Sequence, residues 1–146
     1  MSTDGDLRSI LRQRLREFHW QSIEVGATGM GVPDANFCGC GVEGWIELKQ
    51  TPSRSVTLRP HQVAWLERRA RAGGHVLIGV RRRHDGGPRR GGAVDELWIL
   101  DGGDASRCLS GGLQDGADYV LGCWSGGPSK WNWDSVRRIL LRQEPQ

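Results

Sequence analysis

Apolar side chains recur every three or four residues in three stretches of the chain. Because side chains at this spacing share one face of an α-helix, we predict helices over residues 5–19, 59–72 and 134–143. A shorter helix is predicted near 104–110, where Asp104 stands in the position of an N-terminal cap. Each of the three longer helices has one apolar face and is therefore expected to pack against a common core.

Five other segments have the composition of β-strands. They are residues 21–27, 34–38, 44–49, 75–80 and 96–100. The second and third are separated by the glycine-rich segment CGCGVEG, which indicates a hairpin, and the fourth contains the continuous apolar run of a strand buried on both faces. The order α-β-β-β-α-β-β-(α)-α predicts an α/β fold, with a central mixed β-sheet flanked by helices.

Length and composition limit the class of protein. The chain has 146 residues, which predicts a single domain over residues 1–146. With 37% hydrophobic and 25% charged residues, it is neither a membrane protein nor a disordered chain. The N-terminus shows no secretory signal, so we expect a cytoplasmic protein, in the host cytoplasm if a phage encodes it, with its four cysteines reduced.

Arginine dominates the basic residues, because only Lys49 and Lys130 of the 20 are lysines. The charge is also uneven: residues 1–90 hold 15 basic and 9 acidic side chains, whereas residues 91–146 hold 5 and 8. Arginine binds phosphate in a bidentate manner that lysine cannot match, so a polyanionic partner is one interpretation. A GC-rich codon bias is the other, since it raises arginine content without any binding requirement.

Two charged residues stand in an apolar strand, and a third precedes them. Glu47 and Lys49 are two residues apart in WIELK, so both side chains fall on one face of the strand. Their neighbours Ile46 and Leu48 point to the other face. Asp34 begins the preceding strand and can meet Glu47 across the hairpin. Two carboxylates beside one ammonium indicate a site for a hard divalent cation such as Mg²⁺, and an ordinary surface Glu–Lys pair is the alternative.

The segments 31–34 (GVPD) and 47–49 (ELK) together resemble the signature of the PD-(D/E)XK nuclease superfamily. Within it, the chain is most similar to small phage and archaeal Holliday-junction resolvases and to virus-type replication-repair nucleases. The spacing from Asp34 to Glu47 is typical of those resolvases. The resemblance covers about residues 5–82 and implies a restriction-endonuclease-like fold.

The resemblance implies a role for each matching residue. Asp34 and Glu47 would ligate Mg²⁺, for which Mn²⁺ could substitute, and the backbone carbonyl of Leu48 would complete the protein ligands. Lys49 would serve the nucleophile. Gln62 lies in a segment that resembles the glutamine-bearing helix of these nucleases and would hold the geometry of the site. A polar residue at a helix boundary is the alternative interpretation of Gln62.

Further candidates surround this motif. Many of these nucleases have an acidic residue on the first helix, and here both Glu17 and Glu24 are candidates for it. Trp131 and Trp133 could stack on unpaired bases or form a dimer contact. Candidate DNA contacts are arginines that flank the motif strand or adjoin a flexible loop expected over residues 83–94, namely Arg54, Arg59, Arg81, Arg82, Arg83, Arg89 and Arg90. A merely solvated basic loop is the alternative.

The motif and its resemblance predict a metal-dependent DNA endonuclease that hydrolyses phosphodiester bonds. Structure-specific cleavage of branched DNA, in the manner of a Holliday-junction resolvase, is the leading prediction. A homodimer is expected, since a two-fold axis supplies the two symmetric nicks that resolution needs. Two alternatives stay open: a nuclease for flaps, nicks or mismatches, and a DNA-binding module with a vestigial nuclease site.

Overall fold

The computed structural model describes residues 3–23 and 31–143, with side chains from Leu7 onward. A 3₁₀ turn over Gly102–Asp104 precedes the third helix. In chain order the elements within the described ranges are α1 (Thr3–Arg14), β1 (His19–Ser22), β2 (Ala35–Gly39), β3 (Val42–Thr51), α2 (Pro60–Arg71), β4 (Val76–His84), β5 (Val94–Asp101), α3 (Ala105–Gly111), β6 (Val120–Trp124) and α4 (Trp133–Leu140).

The strands form one sheet in which their spatial order follows their order in the chain, from β1 to β6. Neighbouring strands are antiparallel except β3 and β4, which are parallel because α2 carries the chain back along the sheet between them. The predicted α/β fold with a mixed sheet is therefore confirmed. Among the described residues, no helix has the length and apolar character that crossing a membrane requires.

Hydrophobic cores lie on both faces of the sheet. On one face, Leu11 of α1 and Val136 of α4 belong to the same buried cluster as Leu48 of β3. On the other face, Leu66 of α2 and Cys108 of α3 belong to a second cluster. Helices therefore flank the sheet on both sides, and β3 lies between the two layers.

The beginning of the chain differs from its predicted elements. The first helix, predicted over residues 5–19, ends at Arg14. Leu15 and Phe18 lie beyond that end, yet both are buried in the same core as the helix. The turn thus continues the apolar spacing after the helix has ended. This explains why the predicted helix is too long at its C-terminal end. The strand β1 begins earlier than the predicted strand 21–27, most of which lies outside the described residues.

The other predicted helices are found within three residues of their expected bounds. At α3, Asp104 occupies the N-cap position, but its side chain makes no capping hydrogen bond. The 3₁₀ turn before this helix is capped instead by Asp101, whose Oδ1 accepts the Gly103 N–H at 2.9 Å. The cap therefore belongs to the start of the turn, one element earlier than predicted.

The strand β6 was absent from the predicted order. It pairs antiparallel with β5 at the edge of the sheet, and the register shifts between Ile99 and Leu100. Its five residues, VLGCW, include Gly122 and alternate only between half-buried and exposed positions. A short edge strand of this kind lacks the strong alternation by which strands are recognised from sequence.

The basic segment between β4 and β5 is a hairpin. Both strands extend into the loop predicted over 83–94, which is reduced to residues 85–93. Arg82 lies directly opposite Glu96 in the register, and its Nη1 lies 3.1 Å from Glu96 Oε1. Opposite charges on facing strands favour their pairing, and this explains why the strands are longer than their apolar residues indicate.

Candidate active site

The hairpin formed by β2 and β3 brings the two motif carboxylates together. Its two-residue turn, Cys40–Gly41, has positive φ angles of 49° and 79°, as a type I′ turn requires. The register pairs Ala35 with Ile46, so Asp34 lies one position before a paired residue and Glu47 one position after. The sequence prediction that these two carboxylates meet across the hairpin agrees with this register.

Asp34 is tied directly to the backbone of the neighbouring strand. Its Oδ2 accepts the Leu48 backbone N–H at 2.9 Å. The Asp34 side chain is half-buried, so the carboxylate keeps access to solvent while one of its oxygens is held in place. This contact fixes Asp34 with respect to the strand that carries the other two charged residues of the motif.

Glu47 is the most buried charged residue of the site. It is only 2% exposed and lies on the face of β3 opposite the buried Ile46 and Leu48, as the period of two predicts. Its Oε2 lies 3.3 Å from the Lys49 ammonium. The Lys49 side chain keeps 24% of its surface exposed, so this ammonium faces both the buried carboxylate and solvent.

Gln62 links this face of the sheet to the start of α2. Its Nε2 donates a hydrogen bond to Glu47 Oε2 at 2.9 Å. Its Oε1 accepts the backbone N–H of Arg59 at 2.9 Å and receives a longer contact of 3.4 Å from Lys49 Nζ. Because the helix cap fixes the amide oxygen, the amide nitrogen is oriented toward the carboxylate. The structure thus brings Gln62 to the motif, as expected.

The loop before Asp34 is closely packed on α2. Gly31 has a φ of +91°, and a Cβ built on it would lie 2.4 Å from the His61 carbonyl oxygen and 3.3 Å from Trp65 Cβ. Only glycine fits both this conformation and this contact. The glycine of GVPD therefore sets the distance between the Asp34 loop and the first turn of α2, which carries Gln62.

The donor set fits a hard divalent cation. Asp34 and Glu47 supply carboxylate oxygens, and the residue after Glu47, Leu48, supplies a backbone carbonyl, so all the donors are of the kind that Mg²⁺ prefers. Within the part of the chain that the structure describes, no group of three or more His, Cys, Asp and Glu side chains could hold a metal ion. A cation here would therefore depend on two carboxylates, the backbone and water.

Of the two candidates for the additional acidic residue, the structure describes Glu17. Glu17 is exposed in the turn after α1, and its carboxylate pairs with Arg137 of α4. It thus lies on the side of the sheet where α1 and α4 pack, apart from Gln62. Glu24 lies outside the described residues.

The arginines predicted to contact DNA divide into two groups. Arg81 is 5% exposed and donates two hydrogen bonds to the Asp95 carboxylate, and Arg82 is paired with a carboxylate of β5. These two residues therefore serve the β4–β5 hairpin. Five of the predicted residues are exposed: Arg54, Arg59, Arg83, Arg89 and Arg90.

Trp131 and Trp133 belong to the packing of the domain. Trp131 is 3% exposed, its Nε1 donates to the Asp95 carbonyl at 3.2 Å, and the Arg81 guanidinium lies 5.6 Å from its ring. Trp133 is half-buried and donates to the Pro128 carbonyl at 2.8 Å. Base stacking by Trp131, one of the predicted alternatives, is therefore excluded by its burial.

One cluster near the site was not singled out from the sequence. Trp45 lies two residues before Glu47 on the same strand, and it contacts Trp65 and Arg69 of α2. Trp65 and Arg69 are four residues apart, which is the spacing of neighbours on one helix face. That spacing was visible in the sequence, but their partner on β3 was not.

Comparisons with known proteins find similarity among solved structures but not among protein sequences. No protein-family model matches the chain, and no curated protein sequence matches it. Among solved structures, it is similar to Hjc, a Holliday junction resolvase from the archaeal hyperthermophile Archaeoglobus fulgidus. The TM-score is 0.48 at 15% identity, over 66% of this chain and 74% of that chain. These values do not assign the chain to a family.

Proposed function

We propose that this protein is a metal-dependent endodeoxyribonuclease in which Asp34, Glu47 and Lys49 act on the phosphodiester bond and Gln62 positions them. The observation that carries the proposal is the buried Glu47 carboxylate, held between the Lys49 ammonium and the Gln62 amide, with Asp34 beside it. A surface Glu–Lys pair would not need such burial. Charged groups are buried at a cost in stability, and such costs are typical of functional sites.

Lys49 is the group best placed to serve the attacking water. Its ammonium is held by Glu47 and Gln62 on one side and reaches solvent on the other. A positioned ammonium can donate hydrogen bonds to a water and to a non-bridging phosphate oxygen, where negative charge develops as the bond breaks. Because Glu47 and Gln62 hold Lys49 before the substrate arrives, little reorganisation is needed during the reaction.

The two carboxylates and the Leu48 carbonyl would hold the cation. When bound, Mg²⁺ would neutralise negative charge on the phosphate. Asp34 is fixed for this task by the Leu48 N–H, and Glu47 by the Gln62 amide. Each carboxylate thus has one oxygen held by the protein, so the residues need not rearrange to receive the ion.

Branched DNA is the substrate that we propose for this site. The spacing of the motif from Asp34 to Glu47, which resembles that of Holliday-junction resolvases, favours a four-way junction cut by a homodimer. A two-fold dimer places two such sites symmetrically on the two strands to be cut. Flaps, nicks and mismatched duplexes are the alternative substrates.

The test is a cleavage panel with labelled four-way junction, flap, nicked, mismatched, single-stranded and linear duplex DNA, with and without Mg²⁺. We expect Mg²⁺-dependent cleavage of the junction. Asp34→Asn and Glu47→Gln should lower the single-turnover rate by at least about 100-fold, because each removes a charged oxygen ligand, and should retain junction binding in EDTA.

Glu43→Gln is the matched control for Glu47→Gln. Glu43 lies on the same strand but is exposed, so its substitution should leave cleavage unchanged. Salt-sensitive binding without cleavage of any substrate would instead support a DNA-binding module with a vestigial site. Wild-type cleavage by either motif variant would show that the catalytic residues are wrongly assigned.

A further inference from the structure

A second cluster of side chains lies between β3 and the last turns of α2. The rings of Trp45 and Trp65 meet edge to face with their centroids 5.4 Å apart. The Arg69 guanidinium lies 4.6 Å from the Trp65 ring centroid and 5.5 Å from that of Trp45. We name these three residues the Trp–Arg shelf. Both tryptophans are half-buried and Arg69 is exposed, so the shelf reaches the surface.

The shelf lies at a basic end of α2 whose charges no described carboxylate pairs with. Arg68, Arg69 and Arg71 make up the basic end of α2. Within the residues that the structure describes, none of the three forms an ion pair with a carboxylate, whereas Arg81 and Arg82 both do. Cations at the end of a helix are favoured by its dipole, but three at one turn repel one another unless an anion lies nearby.

An open hollow of about 680 Å³ adjoins the shelf. Among the described residues, its lining contains no acidic side chain and consists of Trp65, Arg68, Arg69, Ala72, Gly73 and Gly74. A hollow with aromatic and arginine walls and small residues at its base has room for an extended anionic chain. Its chemistry suits a sugar–phosphate backbone better than it suits an apolar ligand.

The shelf is aligned with the candidate active site. Trp45 and Glu47 are two residues apart on one face of β3, which is about 7 Å. Gln62 and Arg69 are seven residues apart on α2, which is about 10 Å along the helix. The phosphates of one strand advance about 3.4 Å each along a DNA duplex, so Arg69 lies about three nucleotides from the site.

We propose that the Trp–Arg shelf binds the phosphate backbone of the DNA a few nucleotides from the bond that is cut. DNA as the partner and the position relative to the cut rest on the proposed function, whereas the anion-binding chemistry of the shelf does not. Contact with the rings of two tryptophans restrains the Arg69 guanidinium, so its N–H groups are presented to a phosphate at a reduced cost in conformational entropy.

The test measures affinity of the full-length protein for a fluorescent four-way DNA junction in EDTA, over a series of salt concentrations. Arg69→Gln should weaken binding about five- to tenfold and reduce the slope of log K against log salt by about 0.9, the value for one phosphate contact. Arg69→Lys keeps the charge but removes the planar guanidinium that contacts both rings. The Arg69→Lys variant should keep the wild-type slope of log K against log salt but bind the junction more weakly.

Arg16→Gln is the matched control, because Arg16 is exposed after α1 on the other side of the sheet. It should leave affinity and slope as in the wild type. An Arg69→Gln variant that unfolds at lower urea but binds DNA unchanged would overturn the proposal and leave the shelf a packing feature only. The result is separate from the proposed function, since binding in EDTA is measured whether or not the protein cleaves DNA.

Discussion

Lys49 contacts two oxygen atoms at once in a space that an arginine could not easily fill. Its ammonium lies 3.3 Å from Glu47 Oε2 and 3.4 Å from Gln62 Oε1, at the edge of a half-buried site. The compact ammonium approaches both oxygens as a point charge, whereas a guanidinium is planar and needs more room. In a chain whose other basic residues are arginines except Lys130, this position holds a lysine.

We therefore predict that Lys49→Arg preserves the fold but not the reaction. The positive charge still compensates Glu47, so the free energy of unfolding should change little. Single-turnover cleavage of the junction should fall by about 100-fold or more, since the donor no longer lies where charge develops. Lys130→Arg, at an exposed lysine, should cleave at the wild-type rate. A Lys49→Arg enzyme of normal rate would contradict the role of a compact ammonium.

The position of a side chain was predictable from the sequence when the residues that contact it lie nearby in the chain. Asp34, Glu47 and Lys49 were predicted together because one short hairpin and the period of two determine their positions. Arg81 and Trp131 were misjudged, because both are held by Asp95, a partner that no local pattern connects to them. Basic or aromatic composition does not distinguish a ligand contact from such a structural pair.

The elements that carry the site are held together by the contact between the GVPD loop and α2. Gly31 meets the His61 carbonyl at the first turn of that helix, and Gln62 follows directly. The distance between loop and helix therefore determines whether the Gln62 amide reaches Glu47. The backbone of the loop, as well as its Asp34 carboxylate, belongs to the architecture of the site.

Gly31→Ala should lower the free energy of unfolding by about 2 kcal/mol or more, because it combines a positive φ with a clash against backbone. Gly41→Ala is the matched control. Gly41 has a similar φ of +79°, but a Cβ there would meet nothing within 4 Å, so only the conformational cost of about 1 kcal/mol remains. Urea unfolding measures both, and equal losses would show that the contact with α2 is unimportant.

Elements were predictable where apolar residues repeat over several turns, as in α2 and α4. Strands were not predictable where they lie at the edge of the sheet or where their pairing depends on charged residues far apart in the chain. The strand β6 was missed because Gly122 and the exposed Leu121 and Cys123 give it no clear inward face. The extension of β4 and β5 was missed because its cross-strand ion pairs join residues on opposite sides of a glycine-rich turn.

The whole molecule is a sheet with helices on both faces, and His75 connects the sheet to one of them. It precedes β4, and its Nε2 lies 3.1 Å from the carbonyl oxygens of both Ile139 and Leu140, at the end of α4. Its ring also meets Phe37 edge to face. Because both oxygens accept hydrogen bonds, Nε2 carries the proton and the neutral imidazole satisfies the end of the helix.

Burial lowers the pKa of His75 below its usual value of 6.5, and the charge of Arg142 lowers it further, while the two carbonyls and Asp101 act in the opposite direction. The unfolded chain therefore takes up a proton at this residue at a higher pH than the folded chain does. Its contribution to stability is fully present above about pH 6.5 and is lost as the pH falls toward the lowered pKa.

We predict that the free energy of unfolding, measured in urea, decreases more between pH 7 and pH 5.5 in the wild type than in His75→Gln. Glutamine can still donate a hydrogen bond to the α4 carbonyls but does not titrate, so His75→Gln should lose this component of the pH dependence. His19→Gln, at an exposed histidine of β1, should follow the wild-type curve. If His75→Gln and the wild type lose stability in parallel, the end of α4 is not held by a neutral imidazole, and the connection between the sheet and this helix must be apolar.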